Sequence, residues 1–433
     1  MIAFLNAHDA MKRLTWLCVA VAVLAGKPSR CALAADAATR PESSQSESAQ
    51  PAAAASSISW DDGIKLQCQS EWLSLRFGGK VMGDVGWADG EGQGASGADI
   101  GQESEWRRLR PYLSGTVADR LDFKIEAEFA GLQTQWMDLY LRIKNMPVVG
   151  DATVGHFKEP FGLEELTSSA DTTFLERALP DAFTPGRSLG AMLQQSVLTE
   201  RATWALGVFR SLGDQPSFPD GRGGEAIAVT GRMTWLPWRD KKTDELVHLG
   251  AAYSFRSLLD DARYRQRPEA HFVGNLTDTG SFRADATHLV GSEAAWVRGP
   301  LSLQGEYMAA FADRPDADVA FLHGAYVQAS YFLTGEHRPY DSGIGVFKGP
   351  QPLRPFPTEG LGAWELAARY SFLDLRGPSL ADTARQVHDF TVGLNWYLSP
   401  NLRLGWNYAR SWIDGSGSSG AADIFLFRVQ LAF

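Results

Sequence analysis

Three arginines stand at alternate positions in Arg263-Tyr264-Arg265-Gln266-Arg267-Pro268. In an extended chain, residues i, i+2 and i+4 share one side, so the run predicts a three-step ladder of guanidinium groups. Each guanidinium presents several N–H donors in a planar fork that fits phosphate or carboxylate, whereas lysine offers a point charge. The chemistry is transient capture of an oxyanion; an external loop meeting anionic lipid head groups is the competing use. A second basic run, Trp106-Arg107-Arg108-Leu109-Arg110, poses a geometric problem. Successive strand residues point opposite ways, so plain alternation aims only one of Arg107 and Arg108 at a given face. The other needs a rim, a bulge or a covering loop.

Enzymatic chemistry finds little purchase. The eight histidines include no pair at metal-ligand spacing, and no metal, cofactor or catalytic set is expected. G-x-S-x-G, P-loop and dinucleotide fingerprints are absent from the sequence. Glu164-Glu165 could suggest paired acids, but loop neighbours of this kind are solvated or fix loop shape. The formal charge of −10 argues against nucleic acid as a partner.

The elements that must carry these residues are strands. Leu73, Leu75, Phe77, Val81, Val85 and Trp87 share one face, and Ser74, Arg76, Lys80 and Asp84 the other. In 121–129, Leu121, Phe123, Ile125, Ala127 and Phe129 oppose Asp122, Lys124, Glu126 and Glu128. In 136–144, Leu139, Leu141 and Ile143 oppose Asp138, Tyr140, Arg142 and Lys144. An apolar face backed by an ionised one reverses a soluble sheet over a dry core and suits a lipid-embedded barrel around water. Continuing, strands are predicted near 71–88, 105–117, 121–130, 134–144, 151–157, 189–199, 202–212, 225–236, 245–256, 286–297, 300–313, 320–334, 361–373, 386–398, 400–412 and 423–433. The expected fold is therefore all-β, a sixteen-stranded antiparallel transmembrane barrel over 71–433 with inward-folded loops. An even strand count is what single-chain bacterial barrels require.

Long links are predicted after odd strands, notably 158–188 and 257–285, and short turns after even ones. The link 335–360 breaks that rule, and long irregular stretches in compact architectures are usually functional. The chain ends on alternating Phe425, Phe427, Val429, Leu431 and Phe433. That last strand must pair with the first, because lipid tolerates no open edge, and a terminal Phe suits capture by an outer-membrane assembly machinery.

Residues 1–34 read as a signal peptide, with Lys12 and Arg13 before a short apolar run and Ala32-Leu33-Ala34 as cleavage site. Met11 suits this reading as a start, and Cys31 after Arg30 is a poor lipoprotein context. Cys68 would then be the one thiol of the mature chain. Residues 35–70 are expected to be a flexible periplasmic lead-in.

Several ordered segments resemble the phosphate-selective porin O and P family. They are Gly155-His156-Phe157-Lys158-Glu159-Pro160-Phe161-Gly162-Leu163-Glu164, then Tyr331-Phe332-Leu333-Thr334-Gly335-Glu336, Gly362-Ala363-Trp364-Glu365-Leu366 and Gly393-Leu394-Asn395-Trp396-Tyr397. The resemblance implies homotrimers in which 158–188, 257–285 and 335–360 enter the lumen. It places Arg107 and Arg108 as a pore-lining pair, with one interfacial arginine on lipopolysaccharide as the alternative. It sets Asp138 beside that pair, where a plain salt bridge is an equal reading, and Lys158 at a central gate, where loop anchoring competes. Arg263, Arg265 and Arg267 become an inward ladder.

The expectation is an outer-membrane porin of a Gram-negative-type bacterium that passes small anions such as phosphate. Lipid, lipopolysaccharide and the assembly machinery are its other expected partners. A weakly selective porin, or a non-conducting barrel anchoring the envelope, are the alternatives. The mixed charge of Lys80, Lys124, Arg142, Lys144, Glu126 and Glu128 leaves phosphate specificity open.

Overall fold

The computed structural model describes residues 57–60, 64–67, 72–98, 101–131, 134–210, 225–258, 261–415 and 419–433. The expected signal peptide, most of the lead-in and Cys68 lie outside the described residues. Sixteen antiparallel strands close into a barrel. In chain order they are β1 Leu73–Glu91, β2 Gly101–Val117, β3 Leu121–Glu128, β4 Gln135–Met146, β5 Gly150–Lys158 and β6 Arg187–Val197. Then come β7 Ala202–Arg210, β8 Glu225–Asp240, β9 Glu245–Leu258, β10 Ala286–Arg298 and β11 Leu301–Asp313. The last are β12 Ala320–Phe332, β13 Ala363–Asp374, β14 Gln386–Tyr397, β15 Leu402–Asp414 and β16 Gly420–Ala432.

Closure follows from the terminal alternation. β16 pairs with β1 from Ala421–Glu91 to Ala432–Lys80. Gly79 and Phe433 then exchange both backbone hydrogen bonds, at 2.7 and 2.9 Å. No strand edge is left for lipid to meet along this seam. The two faces are inverted relative to a soluble protein. In β14, Asp389, Thr391 and Asn395 are fully buried inside, while Phe390 and Val392 are exposed outside.

Turns after even strands run two to four residues, except 333–362. Several turn without glycine: Ala118, Asp119, Leu198, Thr199, Glu200 and Asp244 adopt left-handed φ between 50 and 64°. This hides β6's end, expected at 199 and found at 197. β1 and β2 are longer than predicted and shorten the first link to 92–100. Glycines and acids in Ala88-Asp89-Gly90-Glu91 disguise the strand there.

The lead-in also departs from a wholly flexible segment. Its Ser57–Trp60 and Ile64–Gln67 form a hairpin, and Ile64–Gln67 pairs onto Ser74–Phe77 of β1. β1 projects past the end of β16, and its unpaired edge supplies a partner for strands too short to stand out by alternation.

Candidate functional site

After β5 the chain turns inward. Gly162, at φ 79°, carries the left-handed turn that leads into a single helical turn, Leu163–Leu166. Glu306 of β11 receives this turn: its carboxylate accepts from Leu163 N at 2.7 Å and Glu164 N at 2.8 Å. Glu159 is gripped by Arg256 at 2.8 and 3.0 Å and by Thr230 at 2.6 Å. Wall arginines then donate to the loop's carbonyls. Arg403 reaches Thr172 O and Thr173 O, Arg428 reaches Leu175 O, and Arg369 reaches Glu176 O. The loop 159–186 is thereby fixed across the lumen instead of hanging at the rim.

The link 333–362 enters from the opposite end. Arg232 donates to Ile344 O at 3.1 Å and Gly345 O at 2.8 Å, while Arg338 donates to Gln304 at 3.0 Å. Its Val346 and Phe347 pack with Leu163 of the inward loop. Beside this contact lies a cavity of about 310 Å³, lined by nine lysine or arginine residues and two carboxylates, Glu126 and Asp138.

The cations differ in how far they are neutralised. Asp138 binds Lys124 and Arg187, each at 2.7 Å. Arg110 binds Glu128 at 2.8 Å, whereas Arg108 approaches Glu128 only to 3.7 Å. Arg108 Nε is buried without a hydrogen-bond partner. Lys80 donates to Ser168 at 2.9 Å and Arg142 to Thr153 at 3.1 Å, both neutral oxygens. Positive charge therefore remains uncompensated at the cavity wall, the condition for attracting an anion.

Glu165 sits behind two of these cations, 3.2 Å from Lys158 and 2.8 Å from Arg177. Burial pushes its carboxyl up, but Arg177 and Lys158 outweigh burial and hold it down at about 2. For neighbouring Glu164 burial wins, and its carboxyl lies above the ordinary value despite Arg369.

A second cavity, about 270 Å³, lies between the inward loop and 261–285. Arg265, Arg267 and His271 line it with Glu176 and Arg177. Arg177 thus lines both cavities. The segment 261–285 is held inside by Glu269, which binds Arg369 at 2.5 Å and accepts from Ser371 and Thr391.

The family profile of the phosphate-selective porin O and P matches residues 76–433. The chain belongs to that family. This porin is similar to Porin O of Pseudomonas aeruginosa, 26% identical over 86% of this chain and 91% of that one. An uncharacterised protein of Caulobacter vibrioides is 29% identical over 83% of this chain and 72% of the relative. Among solved structures, the anion-selective porin from Comamonas acidovorans superposes with TM-score 0.52 at 13% identity, covering 83% of this chain and all of that one. OprB of Pseudomonas putida gives 0.51 at 10% identity over 83% and 94% of the two chains. These likenesses share the barrel fold. This porin resides in the outer membrane of a Gram-negative bacterium, and its family and fold are those of a channel rather than an enzyme.

The porin's sequence-predicted residues separate into groups. Arg108, Asp138 and Lys158 meet at the larger cavity. Arg107 does not line it; its guanidinium holds Glu176 of the loop at 2.7 and 2.9 Å. Arg263, Arg265 and Arg267 all present exposed side chains as the alternation predicts, but only Arg265 and Arg267 line the smaller cavity. Arg263 stands apart in a fork with Asp278 at 2.9 and 2.5 Å. The sequence does not mark Arg177, Arg187 or Arg110 as site residues. Arg110 carried a readable signal, being two residues from Arg108. Arg177 and Arg187 belong to the loop and its exit, where no periodicity assigns a face.

Proposed function

We propose that this porin conducts small anions passively, with the family's phosphate preference as the finer reading. The observation that carries it is the cavity between two inward segments, where nine cationic side chains surround two carboxylates. Lys80 and Arg142 supply charge bonded only to neutral oxygens, and Arg108 is incompletely cancelled by Glu128 at 3.7 Å. Arg265 and Arg267 gather anions in the smaller cavity, and Arg177 connects it to the larger. Asp138 and Glu165 hold neighbouring cations partly neutralised, which favours weak binding and release. Planar-bilayer reversal potentials across a potassium chloride gradient test this: anion preference is expected, and cation preference sinks the reading.

A weakly selective pore is the second reading, favoured by the pairing of Lys124, Arg187, Lys158 and Arg177 with carboxylates. A permeability ratio near one, insensitive to phosphate, would select it.

We also read the protein as a homotrimer. Between β3 and β7, the strands β3 and β5 have only eight or nine residues, at or below the roughly 9–11 that span a bilayer. Val154, Leu206 and Val208 are exposed on the outward side of this run, a low apolar wall that a neighbouring copy would cover. Cross-linking in detergent to a species of three chains checks it. Elsewhere the outward apolar residues meet lipid and lipopolysaccharide, and the terminal Phe433 suits recognition by the assembly machinery.

A further inference from the structure

A water-filled barrel calls for polar groups inside, yet adjacent strands here turn apolar side chains into the lumen together. Tyr140 of β4, Phe157 of β5, Met192 of β6 and Ala205 of β7 line the larger cavity. Phe209 and Ala228 pack with them. Tyr140 and Phe157 meet edge to face at 6.1 Å between centroids, and Phe157 and Phe209 do so at 5.7 Å. Pro160 and Leu166 of the inward loop and Val346 of the link extend the same apolar lining.

The ionisable groups are not distributed evenly around this patch. β1, β2 and β3 bring only Lys80, Arg108, Arg110, Lys124 and Glu126 to the cavity. The chamber is therefore amphipathic: β1 to β3 give it charge alone, whereas β4 to β6 add Tyr140, Phe157 and Met192 beside Asp138, Arg142, Lys158 and Arg187. For a bare hydrated phosphate the aromatic side is a cost, since it strips water and returns no hydrogen bond. For an anion carrying an apolar body, the same side removes that body from water. The volume, about 310 Å³, lies at the small end of the roughly 300–1,000 Å³ that organic-ligand sites occupy.

Building on the anion-pore reading above, we infer that this cavity takes small organic anions in preference to bare phosphate. The anionic head group lies toward Arg108 and Lys80. An aromatic or aliphatic body lies against Tyr140, Phe157 and Met192.

The test uses the full chain reconstituted in a planar bilayer, with chloride as current carrier in buffer just above neutral pH. Phenyl phosphate and inorganic phosphate, both mainly dianions there, are compared as blockers. Phenyl phosphate is expected to half-block at a concentration at least roughly tenfold lower, the scale of small apolar increments in a hydrophobic site. Tyr140→Asn and Met192→Gln, each tested alone, bring that ratio toward one. Arg108→Gln raises both half-blocking concentrations and preserves the ratio. Equal block of the wild type by the two compounds overturns the inference, as does a ratio unmoved in both cavity variants. Cation-selective reversal potentials would instead overturn the anion-pore reading, so the two failures are distinguishable.

Discussion

Arg107 and Arg108 are consecutive residues of β2, and both turn into the lumen. Across the β1–β2 ladder Met82 pairs with Arg108 and Gly83 with Trp106, leaving Arg107 as the extra residue of a bulge. Trp106 and Leu109 on either side stay exposed outside. A bulge adds a residue to one strand and re-aims its side chains, so the period-two rule is broken at one position and resumes. The two guanidiniums then part: Arg107 clamps Glu176, while Arg108 faces the cavity with Nε unpartnered.

This separation predicts different phenotypes for two neighbouring substitutions. Arg108→Gln should lower the chloride-to-potassium permeability ratio several-fold in bilayer recordings and leave the thermal transition of the barrel nearly unchanged. Arg107→Gln should do the reverse, because it releases Glu176 from one of its two arginines. Breaking a buried pair costs roughly 3–5 kcal/mol, and the low end applies here because Arg428 still holds Glu176.

The ladder in 263–267 should prove uneven. Arg263 is tied to Asp278 and lines neither cavity, so Arg263→Gln should leave conductance and selectivity within error of wild type. Arg267→Gln should reduce anion current at low salt, where recruitment by exposed charge is least screened. Equal losses in both variants would show that all three arginines share one path.

Acid should act late on the inward loop. Glu165 is held down at about 2 in the folded protein, against an ordinary glutamate value near 4.3. A depressed folded pKa contributes stability that is full above the unfolded value and lost as pH falls through the folded one. The contribution is about 3 kcal/mol. The unfolding-temperature gap between wild type and Glu165→Gln should stay constant down to about pH 4.3 and close as pH approaches 2.

Glu306 receives the loop's helical turn in the wall. Glu306→Ala leaves Leu163 N and Glu164 N without an acceptor, at roughly 1–3 kcal/mol for each buried orphan. The expected result is a larger, noisier open-channel current with weaker selectivity. An unchanged current trace would mean that Glu159 and the wall arginines suffice to fix the loop.

The barrel was readable from sequence because alternation in lipid is enforced on every strand. All sixteen strands lie where the apolar face of each segment placed them. The link 335–360 also announced itself, as a long connection where tight turns prevail. The bulge at Arg107 left no trace, since one extra residue changes neither composition nor the outward positions of Trp106 and Leu109. Partnering was hidden for a different reason. Whether an arginine serves the lumen or the loop depends on which carbonyls the loop brings within reach. Arg369, Arg403 and Arg428 look like pore cations in the strand pattern, yet each donates to backbone oxygens of 172–176. Arg187 opens β6 directly after the inward loop, so the face it serves is set by the path of that loop.

Arg177 is shared by both chambers, and a shared wall makes their occupancies interdependent. An ion resting in the smaller chamber draws on the same guanidinium that would greet the next ion in the larger. Two ions present together would compete for it and repel one another across it. Current through such a conduit rises less than proportionally with concentration, and each arrival helps expel its predecessor, so throughput is governed by traffic as well as by affinity.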